Sequence, residues 1–316
     1  MKALYFENFG DSSVLTYGEL PAPIIGDDDL LVKMTLIGLN YADIYRRKGE
    51  YHIEKHLPYI NGYEGVGTII ACGSNVKQFR KGDDILFVDV PFANAEQVLV
   101  PVENAIKIPA GLDKKLVASI GLQGLTADFL AHDLGKNQPG ENVFVHGISG
   151  GVGQILSQIL SADGINVYGA TSTVEKQQLA LAQGAEKVFL RNSEWEKEYT
   201  SFFDTVYDGI GSTLADSISF IKNRGKVVFF GMAGGNPPEI DFIRLLSQSK
   251  SILTGDLWDY LTSSNEREFR SKRLFSYFQD GKIQISEPTV FPLAQGKKAH
   301  DFLESGKSMG KILLEP

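Results

Sequence analysis

Three glycines follow an apolar run in the middle of the chain and open an apolar helical pattern. Asn142–His146 has the content of a buried strand, and Gly147, Gly150 and Gly153 come directly after it. Strand, tight turn and helix in this order place backbone N–H groups where a dinucleotide pyrophosphate binds. Ile148 occupies the first glycine position of the usual G-x-G-x-x-G pattern, and an ordinary strand–helix turn is the alternative. The pattern predicts a phosphate-binding turn made by Gly147, Ser149, Gly150, Gly151, Val152 and Gly153.

The next predicted strand indicates which dinucleotide binds. Asn166–Ala170 ends in Thr171, Ser172 and Thr173, whereas a site for NAD usually has a carboxylate about 20 residues after the glycines. Small hydroxyls leave room for a 2′-phosphate, and Lys176 supplies a positive charge to pair with it. Thr173 can also cap the following helix, and the two roles are compatible. The sequence therefore predicts NADPH rather than NADH.

Composition limits the class of protein. The 316 residues, 43% of them hydrophobic and 22% charged, are sufficient for two domains with cores of their own. A net charge of -8 argues against a surface for nucleic acid or anionic lipid. No segment approaches the roughly 20 apolar residues of a membrane span. Cys72 is the one cysteine, which excludes an intramolecular disulfide and a multi-cysteine zinc site. We expect a cytoplasmic protein without nucleic-acid or membrane partners.

The elements that position these residues change character near Ala118. The first part is β-rich, with one helix over Tyr41–Lys48, and its predicted strands are Ala3–Phe6, Leu30–Leu36, Gly65–Cys72, Asp84–Val88 and Ala95–Val100. Beyond it, helical stretches alternate with six predicted strands, at Asn142–His146, Asn166–Ala170, Lys187–Leu190, Thr205–Asp208, Lys226–Phe230 and Ser251–Thr254. This alternation predicts a parallel sheet in the doubly wound order 3-2-1-4-5-6.

The residues after Gly255 are too few to fold alone, so we expect them to complete the N-terminal domain. Their pattern predicts a helix over Glu266–Gln279, strands at Ile283–Ile285 and Glu287–Phe291, and a helix over Gln295–Ser305.

Nearly the whole chain resembles the quinone oxidoreductase (zeta-crystallin-like) family of the zinc-independent medium-chain dehydrogenases/reductases. The resemblance is carried by Gly38–Tyr51, Gly62–Gly67, Gly124–Ala127, the glycine turn, Val206–Asp208 and Gly310–Leu314. It implies an α/β protein with a GroES-like β-rich catalytic domain at residues 1–119 and 255–316. The same resemblance implies a doubly wound Rossmann cofactor domain at residues 120–254, and a homodimer joined through the sixth Rossmann strand.

The resemblance also implies roles for individual residues. Asn40, Asp43 and Tyr45 would face the nicotinamide end of the cofactor, and Tyr51 would lie at the mouth of the substrate pocket. The remaining implied cofactor contacts are Gln123 and Thr126 beside the nicotinamide ribose, the loop Gly231, Met232 and Ala233, and the stretch Leu253, Thr254 and Gly255 near the carboxamide.

Two positions depart from the family pattern. Arg191 stands where the family has a tyrosine near the adenine phosphate, which keeps or strengthens binding of a 2′-phosphate. A family arginine near the C-terminus falls on Gly306, which leaves the adjacent Lys307 as the candidate for that contact.

The resemblance also predicts chemistry without a metal. Asn40 and Tyr63 stand where the related zinc alcohol dehydrogenases have a cysteine and a histidine ligand, and the four-cysteine structural lobe is missing. Without a strong Lewis acid the acceptor must already be electrophilic, as a quinone or an α,β-unsaturated carbonyl is. Asn40, Tyr45 and Tyr51 are the catalytic candidates, although a phenol of pKa near 10 is a reluctant proton donor and each tyrosine could equally be a packed aromatic.

Three functions remain open on the sequence. The first is an NADPH-dependent quinone reductase, and the second is an NADPH-dependent reductase of enone or 2-enoyl substrates. The third is an NADPH-binding protein without turnover.

Overall fold

The computed structural model describes all 316 residues, and the chain divides into two compact units. Unit 1 consists of Met1–Leu122, Leu261–Ser271 and Ser286–Pro316, and unit 2 consists of Gln123–Tyr260 and Lys272–Ile285. The domain bounds expected from the sequence stay a prediction. No helix is at once long and apolar enough to cross a membrane.

Sixteen strands and eight α-helices make up these units. The strands are β1 (Lys2–Phe6), β2 (Thr16–Glu19), β3 (Asp29–Leu39), β4 (Tyr59–Ile60), β5 (Glu64–Cys72), β6 (Asp84–Val88), β7 (Gln97–Pro101), β8 (Ala105–Lys107), β9 (Asn142–His146), β10 (Asn166–Thr171), β11 (Lys187–Leu190), β12 (Phe203–Asp208), β13 (Ile221–Phe229), β14 (Ser251–Thr254), β15 (Thr289–Pro292) and β16 (Ile312–Glu315). The helices are α1 (Tyr41–Lys48), α2 (Lys114–Phe129), α3 (Gly151–Ala162), α4 (Val174–Ala182), α5 (Leu214–Phe220), α6 (Phe242–Ser247), α7 (Ser264–Gln279) and α8 (Gly296–Glu304).

Unit 1 is built on β3. Leu30, Val32 and Met34 are buried while Lys33 between them is exposed, the alternation of a strand with one face on a core. β5 pairs along one edge of β3, and the other edge is shared by β7 and β16. The seven-stranded sheet has the order β15-β16-β3-β5-β6-β8, with β7 on β3, and a separate three-stranded sheet has the order β2-β1-β4.

Unit 2 contains a six-stranded parallel sheet in the order β11-β10-β9-β12-β13-β14. This is the predicted doubly wound order, and the prediction is confirmed. On one face Phe144 packs against Trp195 and Phe203, with ring centroids 5.0 and 5.2 Å away. Because all six strands run in parallel, their carboxyl ends meet at one edge of the sheet, where ligands bind in open α/β folds.

One predicted strand is wrong. Ile283–Ile285 is not a strand, because a side chain takes the backbone groups that a strand would offer to a neighbour. Gln284 donates its N–H to Gln158 Oε1 at 2.9 Å, and Gln158 Nε2 donates to the Gln284 carbonyl at 2.7 Å. The strand predicted to start at Glu287 begins at Thr289 instead.

A fully buried carboxylate ties four distant parts of unit 1 together. Glu64 opens β5 and accepts hydrogen bonds from Asn40 Nδ2 at 2.7 Å and from the Leu122 backbone N–H at 2.7 Å. Lys311 Nζ pairs with the same carboxylate and donates to Asn40 Oδ1 at 2.9 Å. Gly38 and Gly121 make room for it, since a Cβ on either would overlap the Glu64 carboxylate. The hydrogen-bonded cluster around Glu64 is therefore complete only when β3, β5, β16 and α2 are all in place.

Lys311→Met is expected to destabilise the protein strongly. Breaking one side of a buried ion pair leaves an uncompensated charge, which costs about 3–5 kcal/mol. The free energy of unfolding from urea titration measures this loss, and the double variant Glu64→Gln/Lys311→Met is expected to recover part of it.

The matched control is Lys282→Met, which removes a lysine from an ion pair with Asp280 in which both side chains are more than half exposed. An exposed pair contributes less than about 1 kcal/mol. Equal losses in Lys311→Met and Lys282→Met would show that the Glu64 cluster does not stabilise the fold as described.

Candidate functional site

The predicted cofactor residues of unit 2 lie at the carboxyl edge of the parallel sheet. The glycine turn follows β9, the hydroxyl residues end β10, and Arg191 follows β11. The loop from Gly231 follows β13, and Gly255 follows β14. The topology thus brings five chain segments, all singled out from the sequence, to the same edge.

The glycine turn has the geometry of a phosphate-binding turn. Gly147 has φ +63°, a left-handed conformation that favours glycine, and Gly150 donates its N–H to the Gly147 carbonyl at 2.8 Å. α3 begins at Gly151. A Cβ on Gly153 would overlap the Gly147 carbonyl oxygen and would lie 2.9 Å from Ile148 Cα, so α3 can approach the turn this closely only with glycine there.

Gln123 is brought to the same turn. A Cβ on Gly151 would overlap the Gln123 side-chain amide, so this amide lies directly against the start of α3. The predicted cofactor contact of Gln123 is therefore next to the predicted phosphate turn.

Arg191 follows β11 and donates its backbone N–H to the Thr171 carbonyl at 3.0 Å, so it lies beside the end of β10. Lys176 lies in the first turn of α4, the helix that follows β10. Burial, and secondly the positive charge of Arg191, lower the pKa of Lys176. Binding of a 2′-phosphate by these two cations stays a prediction from the sequence.

The three hydroxyl residues at the end of β10 lie in different surroundings. Thr171 and Ser149 are buried, and their hydroxyl oxygens lie 2.8 Å apart in a mutual hydrogen bond. Thr173 Oγ1 accepts the N–H of Lys176 at 3.3 Å and caps α4, as the sequence predicts. Ser172 is exposed between them.

Asp208 at the end of β12 is a turn cap. Its Oδ1 accepts the N–H groups of Ile210 and Gly211 at 2.9 and 3.0 Å, and its Oδ2 accepts from Ser217 Oγ at 2.7 Å. His146 Nε2 lies 3.0 Å from the same serine hydroxyl, and desolvation lowers the pKa of His146 to about 4. His146 is therefore neutral near pH 7 and belongs to the framework under the turn.

The loops after β13 and β14 approach their neighbours closely. Ala233 donates its N–H to the Gly209 carbonyl at 3.1 Å, which packs the loop Gly231–Ala233 on the end of β12. A Cβ on Gly255 would lie 2.8 Å from the Phe129 ring, three residues beyond Thr126 on α2.

The predicted residues of unit 1 centre on the start of α1. Lysine only donates and carboxylate only accepts, so Lys311 and Glu64 together fix which way the Asn40 amide points. Asp43 Oδ2 accepts the Asn40 backbone N–H at 2.9 Å and Oδ1 accepts from Arg46 Nη1 at 3.3 Å. Burial raises the pKa of Asp43, and the charge of Arg46 opposes this rise.

The other unit 1 candidates lie around α1 and after α8. The half-buried Tyr45 has its ring 6.4 Å from that of Tyr41. The Tyr51 ring is 5.2 Å from the guanidinium carbon of Arg46, and 36% of the residue is exposed. Lys307 is exposed, and its backbone N–H donates to Ser305 Oγ at 3.3 Å.

Sequence reasoning missed the residues that hold these candidates. Glu64 lies in the motif Gly62–Gly67 and Lys311 in the motif Gly310–Leu314, both of which carry the resemblance. Pairing the acidic residue of one motif with the basic residue of the other could have suggested the ion pair. Arg46 also lies in such a motif, three residues after Asp43, but its stacking on Tyr63 depends on a fold that brings Tyr63 beside α1.

The positions compared with zinc ligands are engaged in other contacts. The Asn40 amide is held by Glu64 and Lys311, and the Tyr63 hydroxyl accepts the N–H of Glu54 at 2.9 Å. Chemistry without a metal stays a prediction.

Comparisons with known proteins agree with this architecture. Residues 26–133 match the alcohol dehydrogenase GroES-like domain family, and residues 151–267 match the zinc-binding dehydrogenase family. A probable quinone oxidoreductase of Schizosaccharomyces pombe is 33% identical over 314 residues, which cover 96% of this chain and 94% of that protein. A 2-haloacrylate reductase of a Burkholderia species is 30% identical over 92% of both chains.

A solved structure extends the likeness to three dimensions. The Escherichia coli quinone oxidoreductase complexed with NADPH has a TM-score of 0.95 and 28% identity, with all of both chains covered. The chain belongs to the quinone oxidoreductase (zeta-crystallin-like) family of medium-chain dehydrogenases/reductases.

Proposed function

We propose that this protein is an NADPH-dependent reductase that transfers hydride to a quinone. The observation that carries the proposal is the carboxyl edge of the parallel sheet, where the glycine turn follows β9, Arg191 follows β11 and Lys176 lies on the helix after β10. Family membership supports it, because the related Escherichia coli enzyme is a quinone oxidoreductase complexed with NADPH.

The two parts of this edge recognise different parts of NADPH. The Gly147–Gly153 turn and the N-terminus of α3 would hold the pyrophosphate through backbone N–H groups. Lys176 and Arg191 would hold the 2′-phosphate, which NADH lacks. Ser172, exposed between the ends of the two strands, offers no carboxylate to repel that phosphate.

The reaction requires little of the protein besides orientation. Bound NADPH supplies a hydride, and one further proton completes the two-electron reduction of quinone to hydroquinone. On the resemblance we assign Asn40, Tyr45 and Tyr51 to the reacting end of the site. Lys311 and Glu64 hold the Asn40 amide in a single orientation, so it can present the same face at every turnover.

A second candidate acceptor is an α,β-unsaturated carbonyl compound. A relative named 2-haloacrylate reductase, 30% identical to this chain, favours this class. Both acceptors are conjugated and accept hydride without a Lewis acid.

An acceptor panel tests the function. Loss of reduced-nicotinamide absorbance is followed with a naphthoquinone, with cyclohexenone and with saturated cyclohexanone, each with NADPH and NADH side by side. We expect turnover of the naphthoquinone with NADPH, weaker turnover with NADH, and none of cyclohexanone, whose carbonyl is not conjugated.

Each other result has a definite meaning. Turnover of cyclohexenone alone would make the protein an enone reductase. Tight NADPH binding with no turnover of any acceptor would leave a nucleotide-binding protein. Turnover of cyclohexanone would contradict the requirement for a conjugated acceptor.

We also propose a homodimer formed through β14. This strand lies at the edge of the parallel sheet, where unpaired backbone groups can extend the sheet into a second copy. The neighbouring α6 exposes three large apolar side chains, Phe242, Ile243 and Leu246, each more than 70% exposed. An exposed apolar patch beside an open strand edge is typical of an interface.

A cytoplasmic location stays a prediction from the sequence.

Light scattering is expected to give twice the chain mass of 34.7 kDa. Leu246→Glu adds a charge to the apolar patch and should shift the mass toward the monomer, whereas Ile24→Glu, at a residue 89% exposed in unit 1, should not. A monomeric wild-type protein would rule out the dimer, and a dimeric Leu246→Glu variant would place the interface elsewhere.

A further inference from the structure

Arg46 is a buried arginine whose guanidinium contacts a backbone carbonyl, a carboxylate and two aromatic rings. It is 1% exposed, its Nε donates to the His52 carbonyl at 2.9 Å, and its Nη1 donates to Asp43 at 3.3 Å. Its Cζ also lies 3.7 Å from the centre of the Tyr63 ring. A planar guanidinium can stack on an aromatic ring and donate hydrogen bonds in its own plane at once, which a lysine ammonium cannot do.

Tyr63 holds the same stretch of backbone at a second point. Its hydroxyl accepts the N–H of Glu54 at 2.9 Å, and the residue is 5% exposed just before β5. Arg46 and Tyr63 therefore form one stacked pair that fixes the carbonyl of His52 and the amide of Glu54. We name this pair the Arg46–Tyr63 clamp.

Most residues of the stretch held by the clamp are exposed. Tyr51–Pro58, here named the Tyr51 segment, contains no helix or strand. Tyr51 is 36% exposed and Leu57 is 70% exposed, so burial of apolar side chains contributes little. The ring of His56 contacts that of Phe92 at 5.3 Å. A segment of this kind opens locally unless its backbone groups are held.

The clamp also connects Tyr51 to Asn40. One carboxylate oxygen of Asp43 accepts a hydrogen bond from Arg46, and the other accepts one from the Asn40 backbone N–H. The Tyr51 ring lies 5.2 Å from Arg46 Cζ, within the range of a cation–π contact. One buried ion pair therefore contacts two of the three residues assigned to the reacting end of the site, Asn40 and Tyr51.

We propose that the Arg46–Tyr63 clamp is a positioning device that holds the Tyr51 segment in the shape that binds the acceptor. This inference rests on the proposed function, because it takes Tyr51 as part of the acceptor pocket. The clamp sets the affinity for the quinone or enone and affects the affinity for NADPH much less, since the groups assigned to the nucleotide phosphates belong to unit 2.

Tyr63→Phe is the sharpest variant, because it keeps the stacked ring and removes only the hydroxyl that accepts from Glu54. Hydrogen exchange of the Glu54 amide is measured on the free protein, and acceptor KM, kcat and the NADPH Kd are measured on the same preparation. Tyr17→Phe, which removes a phenol hydroxyl from β2, is the matched control. Arg46→Lys keeps the charge and removes the plane that stacks.

We expect Tyr63→Phe to speed exchange of the Glu54 amide and to raise acceptor KM, each roughly three- to tenfold, the range that one net hydrogen bond implies. The NADPH Kd should stay within about twofold of the wild-type value. A general loss of stability would instead weaken the binding of acceptor and NADPH alike, so comparing acceptor KM with NADPH Kd separates the two explanations. Arg46→Lys should raise acceptor KM in the same direction, and Tyr17→Phe should change none of these quantities.

The remaining outcomes overturn the proposal in distinguishable ways. Unchanged exchange at Glu54 in Tyr63→Phe would show that the clamp does not hold the segment. Faster exchange with unchanged acceptor KM would show that the segment does not set acceptor affinity. A wild-type protein that turns over no acceptor would contradict the proposed function and the affinity claim together, while exchange at Glu54 would still decide whether the clamp exists.

Discussion

A carboxylate buried out of water needs hydrogen-bond donors in place of its lost hydration, and Glu64 is in that position. Its donors come from Asn40, from Lys311 near the end of the chain, and from the backbone of α2 at Leu122. Strand β5 therefore cannot reach its native position without β3, β16 and α2 reaching theirs. Lys311 and Glu64 also fix the orientation of the Asn40 amide, so the ion pair that stabilises unit 1 also positions a side chain assigned to the reaction.

The two units contribute different physical devices to the proposed chemistry. Unit 2 uses backbone geometry, because Gly147 and Gly153 allow a helix to start directly over a tight turn, and adds positive charge at Lys176 and Arg191. Unit 1 uses buried side-chain pairs, Glu64 with Lys311 and Asp43 with Arg46. A reductase of conjugated carbonyls needs orientation more than strong acids or bases, and both devices supply orientation.

Local patterns predicted the parts of the fold in which strands and helices alternate regularly along the chain. The six parallel strands and their order were predictable because apolar strands alternate with helices, and α1 was predictable to the residue because Gly49 ends it in a left-handed conformation. The strand predicted at Ile283–Ile285 was wrong because Gln158, more than 100 positions earlier, supplies the hydrogen bonds of Gln284. The stacking of Arg46 on Tyr63 was missed for the same reason, since Tyr63 becomes its neighbour only after folding.

Equilibrium titration of NADPH and NADH tests the proposal that this chain binds NADPH through its 2′-phosphate. Wild-type protein should bind NADPH more tightly, and Lys176→Gln and Arg191→Gln should each weaken NADPH about tenfold or more, as the loss of a charge-assisted hydrogen bond implies, without weakening NADH. Lys187→Gln, at the opposite end of β11 from Arg191, should change neither constant. Equal affinity of the wild-type protein for the two nucleotides, or equal weakening of both in the variants, would contradict the account.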